Sequence, residues 1–231
     1  MTTIEKLSGI LLIDKPKGKM SFSLVSRLRK LLGVKKIGHA GTLDPFATGV
    51  MVMLIGKEFT KLSDTFLAND KEYIATLKLG VTTDSYDCDG EISNTSDFIP
   101  SQEMIEAAVA KFQGKISQIP PMFSAKKIQG KKLYDLARKG VTIERQPVEV
   151  MVKTTLIEYN YPFLILNVYC SKGTYIRSIA DELGKILTCG AHLIDLKRTK
   201  SGAFTIDQCL DGKILYEENC DISEVVKSIL L

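Results

Sequence analysis

The stretch from Gly38 to Gly49, which reads G-H-A-G-T-L-D-P-F-A-T-G, constrains the fold more than any other part of this 231-residue chain. Its three glycines and one proline in twelve residues argue against a regular helix or a central strand, and they suit a backbone that approaches another group closely. The apolar run from Val50 to Ile55 follows directly and predicts a buried strand that ends at Gly56. We therefore expect a shaped loop lying against a buried strand.

Asp44 is the only carboxylate in this stretch. Pro45 biases it toward an extended conformation, and an aspartate held in this way beside a buried strand can point into a cleft. The alternative is a structural aspartate that satisfies backbone donors of a turn. The residue types alone leave both interpretations open.

The stretch resembles the active-site motif of the TruB family of tRNA pseudouridine synthases, in which the aspartate is the nucleophile. Three further segments resemble motifs of that family and occur in the family's order: Leu12 to Gly18, Lys71 to Tyr73, and Ser171 to Arg177. Together the four segments extend over roughly residues 9 to 202. The length and order of the match favour the catalytic interpretation of Asp44.

The resemblance implies isomerisation of uridine to pseudouridine in the T loop of tRNA, at tRNA position 55, without metal or cofactor. Asp44 would attack a uridine flipped out of the RNA, either at ribose C1′ or at C6 of the base. Arg177 would oppose the rise in pKa that burial of the carboxylate causes and so keep it ionised. Tyr73 would stack on the uracil and assist removal of the C5 proton.

Four further residues take substrate-binding positions through the same resemblance. His39 would stack into the space that the flipped uridine leaves, and Tyr175 and Leu196 would line the uracil pocket. For Leu196, a place in the core fits its apolar alternation equally well. Lys15, together with Pro16, would support the catalytic loop.

Six cations lie between residues 126 and 139 against the single carboxylate of Asp135. Such a run is often a solvated helix face. Interleaved glycines and aromatic residues also suit a mobile arm laid along phosphates. The resemblance identifies residues of about 120 to 147 as an RNA-binding thumb, with four candidate phosphate contacts: Lys126, Lys127, Lys131 and Lys132.

The composition excludes several other classes of site. Two histidines cannot form a histidine-rich metal centre, and five cysteines without a C-x-x-C pair fit reduced thiols. The acidic turn from Asp84 to Gly90 does not place carboxylates where an EF-hand requires them. Signatures of nucleotide hydrolysis, dinucleotide redox, zinc proteolysis and serine hydrolysis do not occur. A membrane span is not expected, so a cytoplasmic location is the default expectation.

Strands outnumber helices and do not alternate regularly with them. Residues 73 to 79 alternate between apolar and polar and predict a strand with one buried face, and helices are expected to be capped by Ser23, Ser101 and Thr174. We expect an α+β fold with a mixed, largely antiparallel central sheet flanked by helices. Residues 1–206 would form the catalytic domain of a monomer. Residues 207–231 would be a short tail, too short for the PUA domain of many family members.

Two competing functions remain. A non-catalytic tRNA-binding or tRNA-folding protein would keep the basic thumb and use Asp44 structurally. A carboxylate-based nucleoside hydrolase would release free uracil. Release of the uridine C5 proton distinguishes an isomerase from a protein that only binds tRNA.

Overall fold

The computed structural model describes residues 7–124, 126–128 and 130–230. The chain forms two compact units, of which unit 1 comprises Met1–Tyr73 and Leu196–Leu231, and unit 2 comprises Ile74–Asp195. Within the described ranges, no helix has the length and apolar character that crossing a bilayer requires.

The strands of the described residues are, in chain order, β1 (Gly9–Lys15), β2 (Ile37–Ala40), β3 (Thr48–Ile55), β4 (Lys71–Leu79), β5 (Val81–Thr83), β6 (Ile92–Thr95), β7 (Gln113–Gln118), β8 (Lys127–Ile128), β9 (Lys131–Lys132), β10 (Val148–Asn160), β11 (Phe163–Cys170), β12 (Ala191–Ser201), β13 (Phe204–Thr205), β14 (Leu210–Asp211) and β15 (Ile229–Leu230). The helices are α1 (Ser21–Leu32), α2 (Gly56–Thr60), α3 (Ser63–Leu67), α4 (Gln102–Val109), α5 (Leu133–Ala137), α6 (Ile176–Ile186) and α7 (Ile222–Lys227), with 3-10 helices at Ile206–Gln208 and Gly212–Tyr216.

In unit 1 the apolar strand β3 has neighbours on both edges. It pairs antiparallel with β1 and β2, and parallel with β12, where Lys197 lies opposite Thr48 and Arg198 opposite Gly49. One layer of the core is made by buried side chains of β1, β2 and β3, namely Leu12, Ala40, Val50, Val52 and Leu54. A strand buried along almost its whole length is what the continuous apolar run predicts.

In unit 2 the strands follow the order β4, β11, β10, β7. Strand β10 pairs antiparallel with β11 and with β7, and β5 and β6 form a separate antiparallel pair. Buried and partly exposed residues alternate along β4, as its sequence predicts. The predicted α+β fold class is confirmed, because the sheet is mixed and largely antiparallel and the chain also forms helices.

Helix α1 is the helix that the sequence predicts near Ser23. Its apolar residues, including Leu24 and Leu28, are buried, and Gly33 ends it in the left-handed conformation with φ 67°. The predicted cap is wrong. The helix begins at Ser21, and the hydroxyl of Ser23 instead donates to the carbonyl of Met20, three residues earlier.

The other two predicted caps have different outcomes. Ser101 caps α4, because its hydroxyl accepts a hydrogen bond from the amide of Met104. Thr174 does not cap α6. Its hydroxyl donates to the carbonyl of Ser171, and Tyr175 occupies the N-cap position.

The glycine-rich stretch is less loop-like than its composition predicts. Residues 38 to 40 belong to β2, and β3 already begins at Thr48. Only Gly41 to Ala47 remain outside regular structure, and we call this segment the Asp44 loop. The expectation of a loop is therefore wrong at both ends of the stretch: Gly38 lies in the edge strand β2, and Gly49 lies in β3, where its positive φ of 106° suits glycine.

The last segment of the chain pairs with the first strand. β14 pairs parallel and β15 antiparallel with β1. The same segment also contains the short helix α7, which is capped by the carboxylate of Asp221.

Candidate active site

The Asp44 loop is a turn held at its centre by the segment that follows β1. The amide of Ala47 donates to the carbonyl of Asp44 at 3.1 Å, which closes the turn. The carbonyl of Pro45 accepts from the amide of Gly18 at 2.8 Å and from the ammonium of Lys15 at 3.1 Å. Asp44 itself is partly exposed, and the backbone on either side of it is held by hydrogen bonds.

Lys15 is a fully buried lysine, with 0% of its surface exposed. Besides Pro45, its ammonium donates to the carbonyls of Pro16 and Lys19. Burial lowers the pKa of Lys15 to about 8, partly offset by the negative charge of Asp44. The structure thus places Lys15 against the backbone of the Asp44 loop, where a supporting role requires it.

Two further side chains bind the backbone of the loop and its continuation. The buried hydroxyl of Ser21 both donates to the carbonyl and accepts from the amide of Leu43, each at 2.9 Å. The carboxylate of Asp14 accepts from the amide of Gly49 at 2.9 Å. Sequence reasoning did not find these contacts, because a serine in a helical pattern and an aspartate in a strand carry no local signal of a distant partner.

Gly49 explains part of the glycine content of the motif. Its φ is 106°, and a Cβ placed on it would collide with the backbone oxygen of Arg198 and lie 2.6 Å from the backbone nitrogen. The close approach that the glycines predict is therefore made here to a neighbouring strand of the same unit.

His39 lies on β2 and is partly buried. Burial, with a smaller contribution from the charge of Arg198, lowers the pKa of His39 below its usual value and so favours the neutral ring. Its buried Nδ1 has no hydrogen-bond partner among the residues that the structure describes. A ring that favours its neutral form can stack on a base, since stacking needs no charge.

Tyr73 and Leu196 both belong to unit 1. Tyr73 on β4 is 8% exposed and Leu196 on β12 is 5% exposed. A side-chain hydrogen bond joins the two strands close to these residues, since the hydroxyl of Thr199 donates to the carbonyl of Glu72 at 3.2 Å. This degree of burial is compatible both with a pocket wall and with a place in the core.

In unit 2, Arg177 lies in the first turn of α6 and is buried. Its guanidinium forms an ion pair with Asp87 at 3.0 Å, donates to the carbonyl of Phe123 at 2.7 Å and lies 3.3 Å from the carbonyl of Ser85. These contacts fix the direction of the guanidinium, and a buried charge so held is a candidate for a catalytic cation.

Asp87 is a functional candidate that sequence reasoning missed. It belongs to the turn between β5 and β6, where its carboxylate accepts from the hydroxyl of Ser85 at 2.5 Å and from the amide of Asp89 at 3.0 Å. The prediction of a turn at this position is confirmed. What the sequence does not indicate is that one of its four aspartates and glutamates turns inward, because the partner, Arg177, is 90 residues away in the chain.

Tyr175, the other candidate in unit 2, is held through its backbone. The side-chain amide of Gln118 accepts from its N–H at 2.7 Å and donates to its carbonyl at 3.0 Å. The ring is partly exposed, which is compatible with the substrate contact that the resemblance implies.

The predicted thumb contains a short hairpin. β8 and β9 pair antiparallel, and α5 follows with Leu133 buried. The side chain of Lys126 is partly exposed, whereas the side chains of Lys127, Lys131 and Lys132 lie outside the described part of the structure.

In the described ranges, no group of three or more histidine, cysteine, aspartate or glutamate side chains is arranged to hold a metal ion. What unit 1 offers is a carboxylate on a rigid loop next to the buried cation of Lys15. Such a group can act as a nucleophile at a glycosidic or base carbon.

Comparison with protein families gives two adjoining matches. The model described as "TruB family pseudouridylate synthase (N terminal domain)" matches residues 29–176, and the model described as "tRNA pseudouridylate synthase B C-terminal domain" matches residues 177–227.

Several curated proteins are similar over most of the chain, and each bears the name tRNA pseudouridine synthase B. The protein of Protochlamydia amoebophila is 66% identical, over 89% of this chain and 79% of that protein. The protein of Chlamydia felis is 60% identical, over 96% of this chain and 95% of the relative. The protein of Desulfotalea psychrophila is 48% identical, over 91% of this chain and 89% of that protein.

Two solved structures share the fold. A chain of a Cbf5-Nop10-Gar1 complex matches with a TM-score of 0.73 at 26% identity, covering 98% of this chain and 61% of that chain. A chain of an H/ACA RNP bound to a substrate RNA containing 2'-deoxyuridine matches with a TM-score of 0.65 at 25% identity. This match covers 88% of this chain and 50% of that chain. This chain thus spans between half and about three fifths of the length of these two solved chains.

Proposed function

This chain belongs to the TruB family of pseudouridylate synthases, enzymes that isomerise uridine to pseudouridine, and we propose that its substrate is a uridine in the T loop of tRNA, at position 55. The observation that carries the proposal is the way Asp44 is presented. Side chains from β1 and α1 bind the backbone of the Asp44 loop at Pro45 and Leu43, on either side of Asp44, and Asp44 is partly exposed. A fixed, accessible carboxylate is what covalent catalysis at a nucleoside requires.

The proposed reaction is an isomerisation, so no electrons are exchanged with a cofactor. Asp44 attacks the flipped uridine, the bond between N1 and C1′ breaks, the base turns, and a bond between C5 and C1′ forms. The bond to Asp44 breaks, the C5 proton leaves to solvent and N1 takes up a proton, so that the carboxylate is regenerated. Both attack at C1′ and attack at C6 are compatible with a single carboxylate nucleophile.

Arg177 keeps the nucleophile ionised, and Tyr73 stacks on the uracil and assists loss of the C5 proton. Tyr175 and Leu196 line the uracil pocket, and His39 fills the space left in the T loop. The lowered pKa of His39, which favours the neutral ring, supports its role, since stacking on bases needs no charge.

The proposal extends to the rest of the molecule. Residues 1–206 act as the catalytic domain, and the thumb of about residues 120–147 binds phosphates through Lys126, Lys127, Lys131 and Lys132. The enzyme acts as a monomer in the cytoplasm, where tRNA is the partner and reduced thiols persist.

Nucleoside analysis of a treated tRNA transcript tests this function. We expect pseudouridine to appear at position 55 in a wild-type transcript and nowhere in a transcript with cytidine at that position. Free uracil as the product would indicate a nucleoside hydrolase. Tight binding without any change of nucleosides would indicate a tRNA-binding protein, and pseudouridine at another position would contradict the assignment to the T loop.

A further inference from the structure

Arg198 on β12 is a buried arginine to which the proposed mechanism assigns no role. Only 1% of its surface is exposed, and it is among the largest fully buried side chains of the described structure. An arginine is rarely buried to this extent unless its charge is paired. Among the described residues, no carboxylate lies within ion-pair distance of its guanidinium.

The guanidinium instead binds the backbone on both sides of the Asp44 loop. Its Nε donates to the carbonyl of Val50 at 2.7 Å, and its Nη2 donates to the carbonyl of Gly41 at 3.2 Å. Nη2 also lies 3.1 Å from Sδ of Met51. One planar group therefore joins the first residue of the loop to the strand that follows it.

The backbone of Arg198 contacts the same segment. Arg198 is paired in parallel register with Gly49, and the approach is so close that only glycine fits there. Side chain and backbone of one residue thus contact Gly41, Gly49 and Val50, which flank Asp44 on either side.

The charge of Arg198 changes the pKa values of two titratable groups near the Asp44 loop. It lowers the pKa of Lys15 and of His39, whereas the charge of Asp44 raises the pKa of Lys15. Two buried cations, Lys15 and Arg198, therefore lie in the neighbourhood of the Asp44 loop, and nearby positive charge favours the ionised form of a carboxylate.

We propose that Arg198 is a positioning residue for Asp44: its guanidinium joins the two sides of the Asp44 loop and so fixes the carboxylate relative to the target nucleoside. This inference rests on the proposed function, in which Asp44 is the nucleophile. Arg198 acts on the rate of the chemical step and not on tRNA affinity, because its described contacts are all within the protein.

Lysine cannot replace arginine in this role. A guanidinium presents donors in a rigid fork and reaches two carbonyls in different directions, whereas an ammonium is a single point charge. Arg198→Lys keeps the positive charge and leaves one side of the loop unbound. The two functions of the side chain, charge and geometry, are thereby separated.

The test is the single-turnover rate of C5 tritium release from labelled tRNA at saturating enzyme, together with the tRNA dissociation constant. For Arg198→Lys we expect a rate per folded molecule about 10- to 100-fold below wild type and an unchanged dissociation constant, because small misplacements of a catalytic group have effects of this size. Arg29→Lys is the matched control. Its guanidinium also binds a backbone carbonyl, that of Ile37, outside the Asp44 loop, so its rate should equal that of wild type.

Arg198→Met is the second variant, because replacing a buried charge that lacks an ion partner by an apolar side chain of similar length often preserves stability. We expect it to fold and to be at least as slow as Arg198→Lys. Rates equal to wild type in either folded variant would overturn the proposal. So would failure of both variants to fold, which would show a structural role, or a weaker dissociation constant at an unchanged rate, which would show a contact with RNA.

Asp44→Asn, measured in parallel, separates this inference from the proposed function. If Asp44→Asn keeps its activity, the proposed function itself fails. If Asp44→Asn is inactive while the folded Arg198 variants turn over at the wild-type rate, only the positioning role fails.

Discussion

Lys15 combines complete burial with a pKa lowered to about 8. The charges that face it are Asp44, Asp14 and Arg198, but desolvation outweighs their sum. Since the pKa in the unfolded chain is close to 10.5, the unfolded chain binds more protons at this position than the folded protein between pH 8 and pH 10.5. The contribution of Lys15 to stability therefore increases as the pH rises through this window.

This predicts a pH-dependent difference between wild type and Lys15→Met. The free energy of unfolding of wild type, relative to that of the variant, should be constant below about pH 7 and should increase toward pH 10, as a single group titrates. Urea unfolding of both proteins at a series of pH values provides the measurement, and groups common to both proteins cancel in the difference. A difference that stays constant, or that decreases with pH, would contradict the lowered pKa.

The candidate site divides into residues that local sequence reveals and residues that it does not. Asp44 and Lys15 stand in motifs whose residue types are unusual for helices or strands. Arg198, Ser21 and Asp87 stand in ordinary helical, strand or turn patterns. Their importance arises only from partners that are remote in the chain, and one sequence contains no record of those partners.

The parallel pairing of β12 with β3 depends on the absence of a side chain at Gly49. A Cβ there would collide with the backbone of Arg198, which cannot move without breaking the strand pairing. The motif that carries Asp44 therefore ends at a glycine that the sheet requires.

Gly49→Ala should consequently destabilise the protein strongly. We expect the free energy of unfolding to decrease by about 3 to 5 kcal/mol, because the strain of a positive φ is combined with overpacking against backbone. Gly114→Ala is the matched control, because its φ of 73° is also positive but no atom lies within 4 Å of the added Cβ.

Gly114→Ala isolates the strain of the positive φ. Its free energy of unfolding, measured by denaturant titration, should decrease by only about 1 to 2 kcal/mol. Equal losses for Gly49→Ala and Gly114→Ala would show that the close approach of β12 contributes nothing beyond backbone strain.

The thumb makes a separate prediction about binding. Replacing Lys126, Lys127, Lys131 and Lys132 together by alanine should weaken tRNA binding and reduce its dependence on salt, since fewer counterions are released. The measurement is the slope of log K against log salt concentration. Replacement of Lys57, Lys61, Lys111 and Lys115 removes the same charge elsewhere and serves as the control. An unchanged slope in the thumb variant would place the phosphate contacts elsewhere.

Helices and strands with a long, regular apolar/polar pattern were predictable from the sequence, whereas two-residue strands were not. The alternation of β4 and the apolar faces of α1 and α4 follow from burial of one side. The two-residue strands β14 and β15 exist only because β1 offers them backbone partners. The caps expected at Ser23 and Thr174 were wrong because both hydroxyls bind carbonyls three residues earlier in the chain.

The fold class followed from the sequence, because the ratio and order of strands and helices already favour a mixed sheet. The division into two compact units did not. Unit 1 contains both the first 73 residues and the end of the chain, and β4 and β12 each contribute residues to both units. Neither a linker nor a shift in composition marks these boundaries in the sequence.

The central claim is that Asp44 is the nucleophile in pseudouridine formation. Single-turnover release of C5 tritium from uridine-labelled tRNA by Asp44→Asn tests it most directly, with circular dichroism and tRNA affinity as controls for fold and binding. Because asparagine has nearly the same shape but cannot attack, we expect wild-type fold and affinity and a rate lower by at least about 10⁴-fold. Release within about tenfold of the wild-type rate by the folded variant would contradict the claim.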